Sequence, residues 1–211
     1  MQAVTLSEPM FKSVGQALSI AFAVTETPPA VRGTTDRALR DLKEDRYGLP
    51  PITQGERSVN KDGLNEREFR AQCVLIVDTV DTKLAGHERG TVIARFTRTA
   101  VKRAHAVRSL RDSYATLCNT QHAEAVLALI WSIYAPGVQP FPNESPAAFN
   151  ARRKRREKEW SARSIEAQYG VGRNVLNRDK AMLRELLGKI ELQAQERLER
   201  IFLRDGLLAV Q

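Results

Sequence analysis

Apolar residues recur along most of this chain at intervals of three and four, the spacing of a helix face, and no run of alternating residues makes a convincing strand system. Val14, Leu18, Ala21 and Phe22 form one such face within Phe11 to Val24. A firmer stripe follows in Phe69, Cys73, Ile76, Val77, Val80 and Leu84, opened by Asn65 and Glu68 as a capping box and expected to close at Gly86. The β-like run Cys73 to Val80 lies inside that stripe and is read as helix. Val92, Ile93 and Phe96 predict a helix after Gly90, and Ala104, Val107, Leu110, Tyr114 and Leu117 predict another over 101–117. Thr120 is placed to cap a helix over 121–134, whose Val126, Leu127, Ile130, Trp131, Ile133 and Tyr134 are apolar nearly all round; such a helix belongs in a core.

Breakers divide these segments. Thr27-Pro28-Pro29 stops the first helix, and from there to Asn65 the chain is polar and punctuated by Gly33, Gly48, Pro50, Pro51, Gly55 and Gly63, with one short helix expected over 36–47. Ala135-Pro136-Gly137 and the 140–146 stretch break the pattern again before Ser145-Pro146, where proline suits the first helical position. The expected fold is all-α. Residues 1–64 form an N-terminal helix and polar segment, 65–135 a helical core domain, and 145–211 a further helical region ending in a long helix.

Within that last region, residues 160–179 carry the signals of a helix-turn-helix. Ser161 can cap a first helix, with Trp160 and Ile165 as the two sides of a hydrophobic staple. Gly170 stands where the backbone must pass through positive φ, and Val171 fills the angle between the helices. A second helix runs on from Arg173, with Val175, Leu176, Leu183, Leu186 and Leu187 expected behind it and Arg173, Asn174, Asn177 and Arg178 pointing away. Arginine and asparagine can each make paired hydrogen bonds to a guanine or adenine edge, so these four are the expected base readers.

Over residues 160–179 the chain resembles helix-turn-helix transcription regulators. The spacing from Gly170 to Leu176 is similar to that in region 4 of sigma factors and in many repressors, and Leu176-Asn177-Arg178-Asp179 resembles the Ile-Arg-Arg-Asp of deoxyribose-operon-type repressors. The resemblance implies duplex DNA as partner. Glu166 departs from it, because the family keeps a small residue where the second helix crosses; either Glu166 bends outward or Ala167 takes that role. The layout also resembles bacteriophage-encoded regulators of the antiterminator type, which implies RNA polymerase as a second partner. The cysteine-rich zinc segment of some of those is missing here.

Charge strengthens the nucleic-acid reading. The chain carries a formal net charge of +8. Residues 151–211 hold 15 Lys and Arg against 9 Asp and Glu, while the first 150 hold 18 against 16. Arg152, Arg153, Lys154, Arg155 and Arg156 run directly before the motif and suit phosphate contacts. With Arg163, Gly172 and Lys180 they complete the expected DNA-binding set; the alternative for the run is a solvated helix balanced by Glu157 and Glu159.

Beyond the motif, Leu183, Leu187, Ile190, Ala194, Leu198 and Ile201 form a seam interrupted only by Gly188. It can pair two chains as a homodimer or pack on the N-terminal helices of its own. Cys73 and Cys118 read as buried thiols rather than a bridge, and His87, His105 and His122 have no partners at ligand spacing, so no metal or other cofactor is expected. No phosphate-cradling glycine loop, Gly-x-Ser-x-Gly or paired-carboxylate arrangement points to an enzyme. With no apolar run near the ~18 residues that span a bilayer and no signal-peptide pattern, a cytoplasmic protein without membrane contact is expected. The expected function is a sequence-specific DNA-binding transcription regulator, phage or prophage encoded. A DNA-packaging protein like a small terminase subunit would instead form a ring, and a helical adaptor would show no salt-dependent DNA binding.

Overall fold

The computed structural model describes residues 9–26, 59, 64–134, 147–148, 150–151, 154 and 160–208. The stop at Thr27-Pro28-Pro29, the short helix expected over 36–47 and the breaks between 135 and 146 lie outside them. Among these residues seven α-helices are bounded, in order α1 (Val14–Glu26), α2 (Glu66–Lys83), α3 (Gly86–Phe96), α4 (Ala100–Tyr114), α5 (Ala123–Tyr134), α6 (Ala162–Tyr169) and α7 (Arg173–Arg204). A 3-10 turn at Ala115–Leu117 extends α4. Residues 147, 148, 150, 151 and 154 are also helical and exposed. Among the described residues the fold is all-helical, and its one β pairing is an isolated parallel bridge between Phe11 and Leu208.

Local sequence sets the helix ends. The Asn65 side chain accepts from the backbone N–H of Arg67 and Glu68, both at 3.0 Å, while Glu68 accepts from Asn65 N at 2.8 Å, so α2 opens on a complete capping box. The helix closes at Leu84 rather than Gly86, which instead begins α3. There Glu88 takes the orphan N–H of Ala85 at 3.0 Å. Gly90 lies within α3 rather than before it, for a packing reason. A Cβ at this position would stand 3.1 Å from Leu110 Cδ2, so the missing side chain lets α3 and α4 approach closely. Helix α5 begins at Ala123 without Thr120 as its cap; the Thr120 hydroxyl accepts only a long bond from His122 N, at 3.4 Å.

The buried residues form two clusters. In the first, Phe11, α1 and the Phe69, Cys73, Ile76 and Val80 face of α2 pack with Val92 and Phe96 of α3 and with Ala194, Leu198 and Phe202 of α7. In the second, Val107 and Leu110 of α4 and Val126, Leu129 and Ile130 of α5 pack with Ile165 of α6 and with Leu176, Leu183 and Leu187 of α7. Ile93 touches both. Between them Arg95 of α3 makes a forked pair with Glu191 of α7 at 3.1 and 3.2 Å, and its guanidinium lies 5.1 Å from the Tyr134 ring centroid. Of the residues expected inside, Leu117 is 54% exposed, at the end of the 3-10 turn rather than on the α4 stripe.

The turn between α3 and α4 is held from α1. The buried Glu26 carboxylate accepts from the Thr97 hydroxyl (2.5 Å), Arg98 N (2.6 Å) and Thr99 N (3.1 Å). The Arg103 guanidinium donates to the carbonyls of Ala94 and Thr97. Burial pushes the Arg103 pKa down to about 10, against the raising effect of Glu26, and the group stays charged at neutral pH.

The α7 seam is therefore filled within the chain, since Leu183, Leu187, Ile190, Ala194 and Leu198 are all buried by the protein's own helices. A second copy has to use another surface. Leu187→Ala should lower folding stability by roughly 2–5 kcal/mol with no change in solution mass. Gly188 is exposed inside α7 with open space around it, so Gly188→Ala should raise stability by about 0.5–1 kcal/mol. Denaturant titration with light scattering reads both; a changed mass with unchanged stability for Leu187→Ala would contradict this packing.

Candidate nucleic-acid interface

Helices α5, α6 and α7 pack against one another, and the local chemistry of residues 160–176 fixes the last two. Ser161 is extended (φ −73°, ψ 155°), and its hydroxyl accepts from Ser164 N at 3.2 Å. Ile165 is buried in the second core, and Trp160 is half-buried against the same core, its ring centroid 6.0 Å from that of Trp131. Gly170 ends α6 in the left-handed region (φ 68°), donating its N–H to Glu166 O at 2.9 Å. Val171 is half-buried against the same core, and Gly172 starts α7 by accepting from Val175 N and Leu176 N at 3.0 and 3.2 Å. The first helix, the turn and the second helix all lie where the sequence pattern puts them.

Asp179 anchors this unit from behind. Its fully buried carboxylate accepts from Asn119 N (3.0 Å), the Asn119 side-chain amide (2.7 Å) and Thr120 N (2.9 Å), tying the turn before α5 to the second turn of α7. Its role was hidden in the sequence, because partners sixty residues away carry no local pattern. The nearby Cys118 thiol is pushed up to about 11 by burial and then by the Asp179 charge, so it is a protonated thiol at neutral pH.

The expected reading residues separate into two groups. Helical spacing places Asn174, Asn177 and Arg178 opposite Leu176, Asp179 and Leu183, beside Ala181, which was not among the expected readers, and all four are exposed. Val175, expected behind the helix, is 37% exposed and lies off the buried face. Arg173 is exposed too, but its guanidinium is engaged: Nε and Nη2 donate to Glu166 Oε2 at 3.0 and 2.8 Å, and its backbone N–H donates to Glu166 Oε1 at 3.2 Å. Glu166 thus bends outward, the first of the two options for this position. These bonds hold its carboxyl below the usual carboxylate range.

Around this face Arg163 is exposed on α6, Gly172 is exposed at the start of α7, and Lys180 is half-buried. Desolvation lowers the Lys180 pKa, and Arg184 one turn on lowers it further. Lys154 is exposed; Arg152, Arg153, Arg155 and Arg156 lie outside the described residues. A cleft of about 310 Å³ opens between α4, α5 and α6, lined by Trp131, Trp160, Tyr169 and Leu127 with Arg108 and Glu124. Among the described residues no three His, Cys, Asp or Glu side chains gather as metal ligands, and no helix is long and apolar enough to cross a membrane.

No protein-family model matches this chain, and neither does any curated protein.

Removing the Asp179 carboxylate leaves three N–H donors without their acceptor, two on the exposed Asn119 and one on the buried Thr120. Asp179→Ala should cost roughly 2–4 kcal/mol of stability, read by denaturant titration, and should speed hydrogen exchange at the Asn119 and Thr120 amides. Stability and exchange both equal to wild type would remove Asp179 as the anchor.

Proposed function

We propose that this chain is a sequence-specific, duplex-DNA-binding regulator of transcription in which α6 and the first two turns of α7 are the reading unit. The observation that carries this reading is the exposed row of Asn174, Asn177, Arg178 and Ala181 on a helix fixed from behind by Leu176, Asp179 and Leu183. Asparagine and arginine present paired donors and acceptors suited to base edges in the major groove, and the small Ala181 leaves room for close approach. A rigid mounting matters because base readout depends on placing such groups accurately. The cationic run from Arg152 to Arg156, next to the unit in sequence, supplies the charge for phosphate contacts. The role is one of binding, with no reacting group assigned.

Selection from random duplexes followed by fluorescence anisotropy tests the proposal. A preferred sequence should emerge, and Arg178→Ala should lose about 1–3 kcal/mol on it by relaxing discrimination at one base pair. Equal loss on every sequence would argue against base reading by Arg178. Neutralising Arg152, Arg153, Arg155 and Arg156 together should weaken binding to any duplex and flatten its salt dependence by roughly 0.9 in log–log slope for each phosphate that is no longer neutralised. Sequence preference should survive. An unchanged slope would mean that this run faces solvent in the complex.

A further inference from the structure

A guanidinium has two hydrogen-bonding edges, a lateral one made by Nε and Nη2 and a terminal one made by Nη1 and Nη2. In Arg173 the Glu166 carboxylate occupies the lateral edge and also takes the residue's backbone N–H, so one side chain of α6 holds both ends of Arg173 across the Gly170–Gly172 turn. Among the described residues nothing accepts from Nη1, and the Arg173 side chain is 52% exposed. The terminal edge is the one whose paired donors match guanine O6 and N7.

The charge balance separates this from a phosphate contact. Glu166 is about one-third exposed, and its carboxyl is held ionised by Arg173, with Arg163 adding to the effect. Its negative charge cancels most of the attraction that Arg173 exerts on a phosphate at longer range and would itself repel one. What survives cancellation is a pair of directed donors in a fixed plane. We propose, resting on the DNA-binding reading above, that Arg173 reads a guanine through its terminal edge and that Glu166 is its positioning residue. The Asn174, Asn177 and Arg178 row then reads beside it, and Arg173 contributes specificity more than affinity.

The test uses the full chain and the duplex selected by it, with single-base variants of that duplex and an unrelated duplex, each titrated at two salt concentrations. Arg173→Lys keeps the charge and loses the planar fork. Glu166→Gln keeps an acceptor but removes the charge. The wild type should prefer guanine at one position by roughly tenfold or more. Arg173→Lys should bring that preference close to one with the salt slope unchanged. Glu166→Gln should cut it several-fold while binding to the unrelated duplex stays level or tightens, since a negative charge has gone. A structural role alone would weaken binding to both duplexes in equal proportion, and that result would overturn the positioning role. Retention of the guanine preference by Arg173→Lys would overturn the inference while leaving the DNA-binding reading in place; absence of any duplex binding by the wild type would overturn both. Arg173→Lys at an exposed helix start decides the question even if Glu166→Gln fails to fold.

Discussion

A single 32-residue helix, α7, forms a wall of both hydrophobic cores and packs against α1, α3, α5 and α6, which in turn hold α2 and α4. Its buried positions advance by three and four from Leu176 to Phe202, so one stripe passes from the core of α4, α5 and α6 into the core of α1, α2 and α3 without leaving the protein interior. Each leucine or phenylalanine along it removes apolar surface worth about 1.5–3 kcal/mol from water. Among the described helices no other supplies buried residues to both clusters over such a length; α3 bridges them more locally, through Ile93 and the Arg95–Glu191 fork.

The polar interior obeys a second, simpler rule. Three carboxylates that are buried or nearly so each take the orphan N–H groups of an interhelical turn. Glu88 holds the turn before α3, Glu26 the turn before α4, and Asp179 the turn before α5. Helix starts leave unpaired donors with a positive dipole end, so a carboxylate there gains both hydrogen bonds and field. Two of the three come from helices distant in sequence and therefore pin tertiary structure as well as capping it. Glu88 acts locally at the cap and reaches further through Arg197 of α7, at 3.2 Å.

What could be read from the sequence follows the same division. Helix α2 and the α6-turn-α7 unit were legible because their signals are local: the Asn65 and Glu68 box, the Ser161 cap, the positive φ at Gly170 and a stripe of period three to four. Gly86 misled because glycine can open a helix as well as end one, and Gly90 because glycine marks a helix boundary and a close helix crossing alike, which only the position of Leu110 separates. Leu117 and Val175 were expected inside because periodicity gives a face without saying where a 3-10 turn rotates it or how wide the covering partner is. The anchors were illegible for a plainer reason. Asp179 and Glu26 look like surface carboxylates until the distant turns they hold are in place, and Glu166, a misfit by size, is explained only by the arginine it grips.

Because α7 continues past Gly188 with no proline or other break, it has no hinge, and a helix without a hinge converts angle into distance. From Phe202 to Arg173 the axis runs about 44 Å, so a tilt of about 5° pivoting at Phe202 would carry the helix start roughly 4 Å sideways, more than the ~3.4 Å rise of one base pair. A lever of this length magnifies small errors in its socket. Phe202, buried in the first core with Phe11, Phe22 and Phe69, is thus the far bearing of this lever, and Leu176, Asp179 and Leu183 are the near one; together they set the angle at which Asn174, Asn177 and Arg178 stand to the rest of the protein.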